Sequence, residues 1–111
     1  METKTTSYKH CDLVKIDGRV DSATAPQLAE ALQSLTDQGR FKLVLDFSAL
    51  DFVSSAGLRV LINTQKTCKR YNRGEVVLAS VPGNIYAALD LSGFTSLFQI
   101  FDDVTNAVGN F

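Results

Sequence analysis

Two adjacent serines lie where an apolar run changes into a helical pattern, within the stretch DFVSSAGLRVL, Asp51–Leu61. At such a turn the first backbone N–H groups of the helix have no partner inside the helix, and a serine hydroxyl can accept a hydrogen bond from them. One serine is enough for this role, so capping does not account for the second hydroxyl of the pair Ser54 and Ser55. The first turn contains no acidic residue, and a phosphate could therefore sit at its positive end. The pair indicates either a helix cap or a site for an anion.

The elements that must position these serines alternate between strand and helix patterns. Segment 3–10 is expected to be an edge strand that pairs in a hairpin with segment 11–20. Phe41–Phe47 is almost continuously apolar, as in a central strand covered on both faces. From Ser54 onward the period becomes helical, with recurring positions at Leu58, Leu61, Ile62, Gln65 and Cys68.

The predicted order of elements is β-β-α-β-α-β-α-β-α. This order is typical of an α/β fold with a mixed, mostly parallel sheet. We expect a single domain over residues 1–111, with four to five strands and about four helices.

Polar residues at the expected helix starts predict how each helix begins. Thr24, followed by Pro26 in the first turn, has the spacing of a capping box for the first helix. Ser80 is expected to cap the third helix, and Asp102 or Asp103 the last one.

Composition and charge exclude several classes of protein. A chain of 111 residues with a formal charge of -1 gives no electrostatic case for binding nucleic acid. No stretch approaches the roughly 20 apolar residues of a membrane span, and the polar N-terminus lacks the apolar core of a signal peptide. We therefore expect no membrane insertion and a cytoplasmic location. Cys11 and Cys68 match no metal or redox spacing, so we expect reduced, partly buried thiols and no cofactor or metal.

An enzyme with a serine nucleophile is the rival hypothesis. Such a serine needs a base, yet His10 is the only histidine and lies in the N-terminal segment, without a second ligand at metal-binding spacing. The Gly-x-Ser-x-Gly elbow of hydrolases and the glycine-rich loops of nucleotide-binding proteins are both absent from the sequence. The sequence therefore favours a binding protein over an enzyme.

Three segments of the chain together indicate a protein family. IDGRVDSATAPQLAEAL, LVLDFSALDFVSSAGLRVL and VPGNIYAALDLSGFTSLFQIFD resemble segments of the STAS domain, specifically of the bacterial anti-sigma factor antagonists. The first segment resembles the family's strand, Gly-x-x-Asp turn and first helix, and the third resembles the family's closing segment. LVLDFSALDFVSSAGLRVL resembles its central strand and phosphorylation loop, which commonly reads Asp-Ser-Ser/Thr-Gly-Leu. In the family a partner kinase phosphorylates the serine that directly follows the aspartate.

Alignment on Gly57 and Leu58 places Ser55 on the family's phosphorylated serine. It places Ser54 on the aspartate and Ala56 on the second hydroxyl residue. With serine in place of aspartate, the loop loses a carboxylate and gains a second hydroxyl that could be phosphorylated, at Ser54. The resemblance therefore implies Ser55 as the preferred phosphorylation site, with Ser54 as the alternative.

The resemblance also implies a binding switch. The unphosphorylated protein would bind an anti-sigma factor that is also a serine kinase, and so free a sigma factor. Phosphorylation would reverse this binding, and a PP2C-type phosphatase would restore it. The implied partner-binding loop comprises Asp21, Ser54, Ser55, Ala56, Gly57, Leu58 and Arg59. The alternative is a STAS scaffold, or a subunit of another signalling or lipid-transport assembly, without sigma-factor control.

Two carboxylates and a basic cluster have more than one interpretation. Asp21 either shapes the partner surface or is a turn aspartate ahead of the first helix. Asp46 either supports the serine loop by a hydrogen bond or is held by backbone N–H groups at its strand end. The basic cluster either binds a phosphate or an acidic partner or, as we expect, is a solvated helix end that complements the helix dipole; it comprises Lys66, Lys69, Arg70 and Arg73.

Overall fold

The computed structural model describes all 111 residues as six strands and four α-helices. The strands are β1 (Glu2–Ser7), β2 (Asp12–Val20), β3 (Lys42–Asp46), β4 (Leu50–Val53), β5 (Glu75–Ala79) and β6 (Gln99–Phe101). The helices are α1 (Ala25–Asp37), α2 (Ser55–Lys69), α3 (Gly83–Leu91) and α4 (Val104–Gly109), with short 3-10 helices at Arg70–Asn72 and Thr95–Leu97.

The long strand β2 organises the sheet because it pairs with three other strands. It is antiparallel to β1, which confirms the expected hairpin. It runs parallel to β3 through its first four residues and parallel to β4 through Gly18–Val20. The sheet continues in the order β2-β3-β5-β6 with parallel pairs throughout. The predicted mixed, mostly parallel α/β fold is therefore confirmed.

The two faces of the sheet contribute to two cores of unequal size. Alternate residues of β3 divide between them, since Leu43 and Leu45 join a core of 19 buried residues whereas Val44 joins one of 5. The larger core includes residues of α1, α2 and α3, and the smaller one lies under α4 through Ala107. Strand β3 is thus covered on both faces, as its continuous apolar run predicts.

Strand β4 is absent from the sequence-based prediction, which gives four to five strands rather than six. Its ends, Leu50 and Val53, are buried, whereas Asp51 and Phe52 between them are exposed. This pattern has neither the alternation of a half-buried strand nor the continuous apolar run of a central one. The strand forms nonetheless, because β2 is long enough to offer a free parallel partner beyond β3.

Two of the predicted helix caps are wrong and one is confirmed. Thr24 is the residue before α1 but makes no capping hydrogen bond, because its hydroxyl accepts from the Asp21 N–H (2.9 Å) and donates to the Arg19 carbonyl (3.0 Å). Ser80 has φ of 55° and its hydroxyl lies 3.4 Å from the Asp102 carbonyl, so α3 begins later, without a side-chain cap. Asp103 does cap α4, since its carboxylate accepts from the Asn106 N–H at 2.8 Å.

The two cysteines are free and buried, on different elements of the fold. Burial raises the pKa of the Cys68 thiol to about 11, and burial also raises the pKa of the Cys11 thiol. Both thiols are therefore protonated near neutral pH and poorly nucleophilic.

Candidate functional site

The two serines have different positions at the start of α2. Ser54 is the N-cap residue, with extended backbone angles, and its hydroxyl accepts a hydrogen bond from the Gly57 N–H at 3.2 Å. Ser55 is the first residue of the helix and is exposed, and its hydroxyl makes no hydrogen bond within the chain. Ser54 therefore caps the helix, and the hydroxyl that capping does not account for is that of Ser55.

The serines stand at the end of the sheet where β2 and β4 finish side by side. Val20 pairs with Val53, and the Ser54 N–H donates to the Val20 carbonyl at 2.8 Å. The next residue of each strand, Asp21 and Ser54, therefore leaves the sheet at the same edge. The Asp21 turn therefore lies beside the serine loop.

The carboxylate of Asp21 is engaged by its own turn. It accepts hydrogen bonds from the Ala23 N–H at 3.0 Å and the Thr24 N–H at 3.1 Å. The hydrogen bond from the Thr24 backbone, more than any other contact, lowers the pKa of Asp21 below its ordinary value. Asp21 is thus the turn aspartate ahead of α1, and its half-buried side chain lies at the same edge as the serines.

Gly57 allows α2 to approach the strands closely. A Cβ atom at this position would lie 2.7 Å from Cγ1 of Val20 and 2.8 Å from Cγ2 of Val53, closer than carbon atoms can pack. The next residue, Leu58, is buried in the larger core and anchors the first turn. The position of the serines therefore depends on a glycine three residues after the N-cap.

Asp46 forms no hydrogen bond with the serine loop, contrary to one of its two predicted roles. Its carboxylate accepts a hydrogen bond from the Ser48 N–H at 2.9 Å, in the turn that follows β3. The side chain is buried and none of its hydrogen bonds reaches residues 53–57. The other interpretation, a strand-end carboxylate held by backbone N–H, is the one that the structure shows.

The remaining titratable candidates lie far from the serines. His10 is in the turn before β2, and the eight steps of that strand, at about 3.3 Å each, place it roughly 25 Å away. Lys69 ends α2, about 21 Å along the helix axis from Ser55. A serine nucleophile therefore has no histidine base, and the basic cluster cannot contact a phosphate at the start of the helix. The structure also contains no group of three or more His, Cys, Asp or Glu residues placed to hold a metal ion.

The edge beside the serines contains contacts that the sequence did not indicate. The guanidinium of Arg19 lies 4.4 Å from the centre of the exposed Phe52 ring, on the neighbouring strand. The side chain of Asn84, in α3, donates to the Asp51 carbonyl at 3.0 Å and joins this helix to β4. The two residues of each pair are 33 positions apart in the sequence, and strand β4, which was not predicted, brings them together. The helix residues Ala56 and Arg59 complete the site, the first half-buried and the second exposed.

The family model for the STAS domain matches residues 3–107 of the chain. The chain belongs to the STAS domain family. None of its helices has the length and apolar character needed to cross a membrane.

Two relatives of this STAS domain are named as anti-sigma factor antagonists. BtrV of Bordetella bronchiseptica is 38% identical over 85 residues, which cover 77% of this chain and 72% of that protein. The anti-sigma-F factor antagonist RsfB of Mycobacterium tuberculosis is 30% identical over 97 residues, which cover 86% of this chain and 77% of RsfB. These identities and coverages place the chain with the anti-sigma factor antagonists among STAS domains.

The solved structures of SpoIIAA, an anti-sigma factor antagonist of Bacillus, have the same fold. The unphosphorylated form matches with a TM-score of 0.83 over 98% of this chain and 95% of SpoIIAA, at 12% identity. The phosphorylated form matches with a TM-score of 0.76 over 98% of both chains, at 13% identity. At these identities the likeness shows the shared fold.

Proposed function

We propose that this STAS domain is a phosphorylation-controlled antagonist of an anti-sigma factor. In its unphosphorylated form it binds an anti-sigma factor that is also a serine kinase, and the sigma factor is released. Phosphorylation of Ser55 by that kinase ends the complex, and a PP2C-type phosphatase restores the binding form. The protein acts by binding rather than by catalysis, in the bacterial cytoplasm.

The observation that carries this proposal is the difference between the two serines. Ser55 offers an exposed hydroxyl without a hydrogen bond, at the first position of a helix whose first turn has no acidic residue. Ser54 is half-buried, and its hydroxyl is used to cap the helix. Modification of Ser54 would disturb a cap worth about 0.5–2 kcal/mol, whereas modification of Ser55 leaves the cap in place.

A phosphate on Ser55 is compatible with the folded domain. An anion near a helix N-terminus is stabilised by about 0.3–1 kcal/mol, so the modified helix remains intact. The same charge is damaging at an interface, because a buried charge without a partner costs about 2–5 kcal/mol of binding free energy. The switch therefore acts on the complex and leaves the fold unchanged.

The partner surface comprises the exposed part of the edge around Ser55. Arg59 projects from the next turn of α2, and the Asp21 turn borders the serines on the other side. Gly57 and Leu58 contribute by holding the first turn against the strands, since both are buried. The partner thus contacts an edge at which the exposed Ser55 hydroxyl is central.

The test is to map the phosphate by tandem mass spectrometry. The protein is incubated with ATP and the histidine-kinase-like serine kinases of its host, alongside the variants Ser54→Ala and Ser55→Ala. We expect one phosphate on Ser55 in the wild type and in Ser54→Ala, and none in Ser55→Ala. A phosphate on Ser54, or no phosphate with any of these kinases, would contradict the proposed acceptor.

A further inference from the structure

Arg59 is the one arginine of the chain whose guanidinium has no partner. Of the five arginines, Arg40 forms the only ion pair, with Asp12. The guanidinium groups of Arg19, Arg70 and Arg73 lie over aromatic rings. Arg59 has no hydrogen bond, ion pair or ring contact, and it is exposed. Its charge is therefore available to a group that reaches it.

Ser55 is the residue of α2 best placed to present such a group. It precedes Arg59 by four residues, and side chains at this spacing are neighbours on the helix surface, with about 5–6 Å between their Cβ atoms. Both residues are exposed, and the buried positions between them, Gly57 and Leu58, face the core. An anion that precedes a cation by four residues also has the more favourable of the two orientations.

Two charged side chains at this edge, those of Asp21 and Arg19, do not compete for the phosphate or for Arg59. The first turn of α2 has no acidic residue, and the Asp21 carboxylate is bound by the amides of its own turn. Arg19 lies over Phe52, and its neighbour Val20 faces the core that α2 covers. Because successive side chains of a strand point to opposite faces, Arg19 is directed away from α2.

We propose that a phosphate on Ser55 is bound by Arg59 within the same helix. Arginine suits this role because its planar guanidinium can donate two parallel hydrogen bonds to phosphate oxygens. The modification then changes two surface residues at once, since it adds negative charge at Ser55 and removes the free guanidinium from the partner surface. This inference rests on the proposed function only in taking Ser55 as the modified residue.

The test uses protein in which phosphoserine is encoded genetically at position 55, so that no kinase is needed. The second pKa of the phosphate, about 6 in a free phosphoserine, is followed by phosphorus NMR during a pH titration. Because Arg59 favours the dianion, we expect this pKa to be lower by about 0.3 unit in the wild type than in Arg59→Gln. Arg59→Lys should fall between them, and about 1 M salt should reduce the difference.

The matched control is Lys66→Gln, which removes one positive charge from the exposed side of the same helix, 11 residues from Ser55. We expect it to shift the phosphate pKa by less than about 0.1 unit. Equal pKa values in the wild type and Arg59→Gln, or an equal shift in Lys66→Gln, would overturn the proposal. A kinase that fails to modify Ser55 would contradict the proposed function and would leave this titration unaffected.

Discussion

The two ends of β2 use polar side chains in different ways. At the Asp12 end, Arg40 donates to the buried Asp12 carboxylate and to the backbone carbonyls of Tyr8 (2.9 Å) and Cys11 (3.4 Å). Arg40 thereby ties the β1–β2 turn to the chain that enters β3. At the Val20 end, by contrast, no ion pair is present, and the backbone amides are satisfied by the Ser54 hydroxyl and the Asp21 carboxylate.

The Asp12 end of β2 contributes to the stability of the fold, whereas the serine end is suited to regulation. The Asp12 side chain is 1% exposed and its second oxygen, Oδ1, has no partner within the chain, so Arg40 is the only group that forms an ion pair with it. At the serine end, Ser55 and Arg59 are exposed and have no partners. A change of charge therefore destabilises the fold at the Asp12 end. At the serine end it has little effect on the fold but alters the surface that a binding partner contacts.

The largest effect on folding is expected from Arg40→Met. The substitution leaves a buried carboxylate without its cation, and breaking a pair in this way is strongly destabilising. We expect the Tm, followed by circular dichroism, to fall by several degrees while the folded protein keeps its affinity for the partner. Arg73→Met is the control, because Arg73 is exposed and forms no ion pair. Similar Tm values for the two variants would remove the contrast between the ends.

At the serine end, Gly57→Ala should be the most destabilising of the single-atom changes. The added Cβ overlaps Val20 and Val53, and overpacking of this kind costs about 1–3 kcal/mol in the free energy of unfolding. Gly83→Ala is the matched control, since nothing lies within 4 Å of a Cβ there. Urea denaturation measures the free energy of unfolding of both variants. An unchanged value for Gly57→Ala would show that α2 can move away from the strands without loss of stability.

The two serines should differ in their contribution to stability. Ser54→Ala removes the hydrogen bond to the Gly57 N–H, and the loss of an N-cap costs about 1 kcal/mol. Ser55→Ala removes a hydroxyl without a partner and should change the free energy of unfolding by less than about 0.5 kcal/mol. Equal losses in the two variants would contradict the assignment of the cap to Ser54.

The smallest effect is expected from Asp21→Asn, and it should depend on pH. Asparagine keeps an acceptor oxygen for the turn, so the comparison isolates the charge. Because the folded pKa of Asp21 is lowered, its charge stabilises the protein above the unfolded pKa of about 3.9, and this contribution is lost as the pH falls through the folded value. The urea midpoints of wild type and variant should differ at pH 7, and the difference should shrink as the pH falls below the unfolded pKa. A difference that does not change with pH would indicate a change in the turn itself.

The features that the sequence predicts are those carried by long periodic segments. Helix α2, the buried strand β3 and the order of most elements follow from the spacing of apolar residues. The serine loop is recognisable because it lies between two such segments. The position of this loop beside the end of β2 cannot be predicted from the sequence, because β4 has only four residues and no regular burial pattern.

The features that the sequence does not predict are hydrogen bonds for which several polar side chains compete. Asp21 and Thr24 lie within one turn, and the Thr24 hydroxyl binds the Asp21 N–H and the Arg19 carbonyl instead of an amide of the first turn of α1. Asp46 likewise binds the nearest amide, at Ser48, rather than the serine loop. Ser80 takes positive φ, and its hydroxyl turns to the end of β6. In each case the side chain binds a nearby backbone group, and the sequence alone does not reveal which one.

The most direct test of the central claim is the affinity of the partner kinase for Ser55→Asp and Ser55→Asn, measured by calorimetry. The two side chains have nearly the same shape and differ in charge. A loss of 2–5 kcal/mol for the buried charge corresponds to about a few tens to a few thousandfold in Kd, at 1.4 kcal/mol for each factor of ten. We predict this loss for Ser55→Asp, with Ser55→Asn close to the wild type and both variants folded. Equal affinity for Ser55→Asp and the wild type would contradict the charge switch.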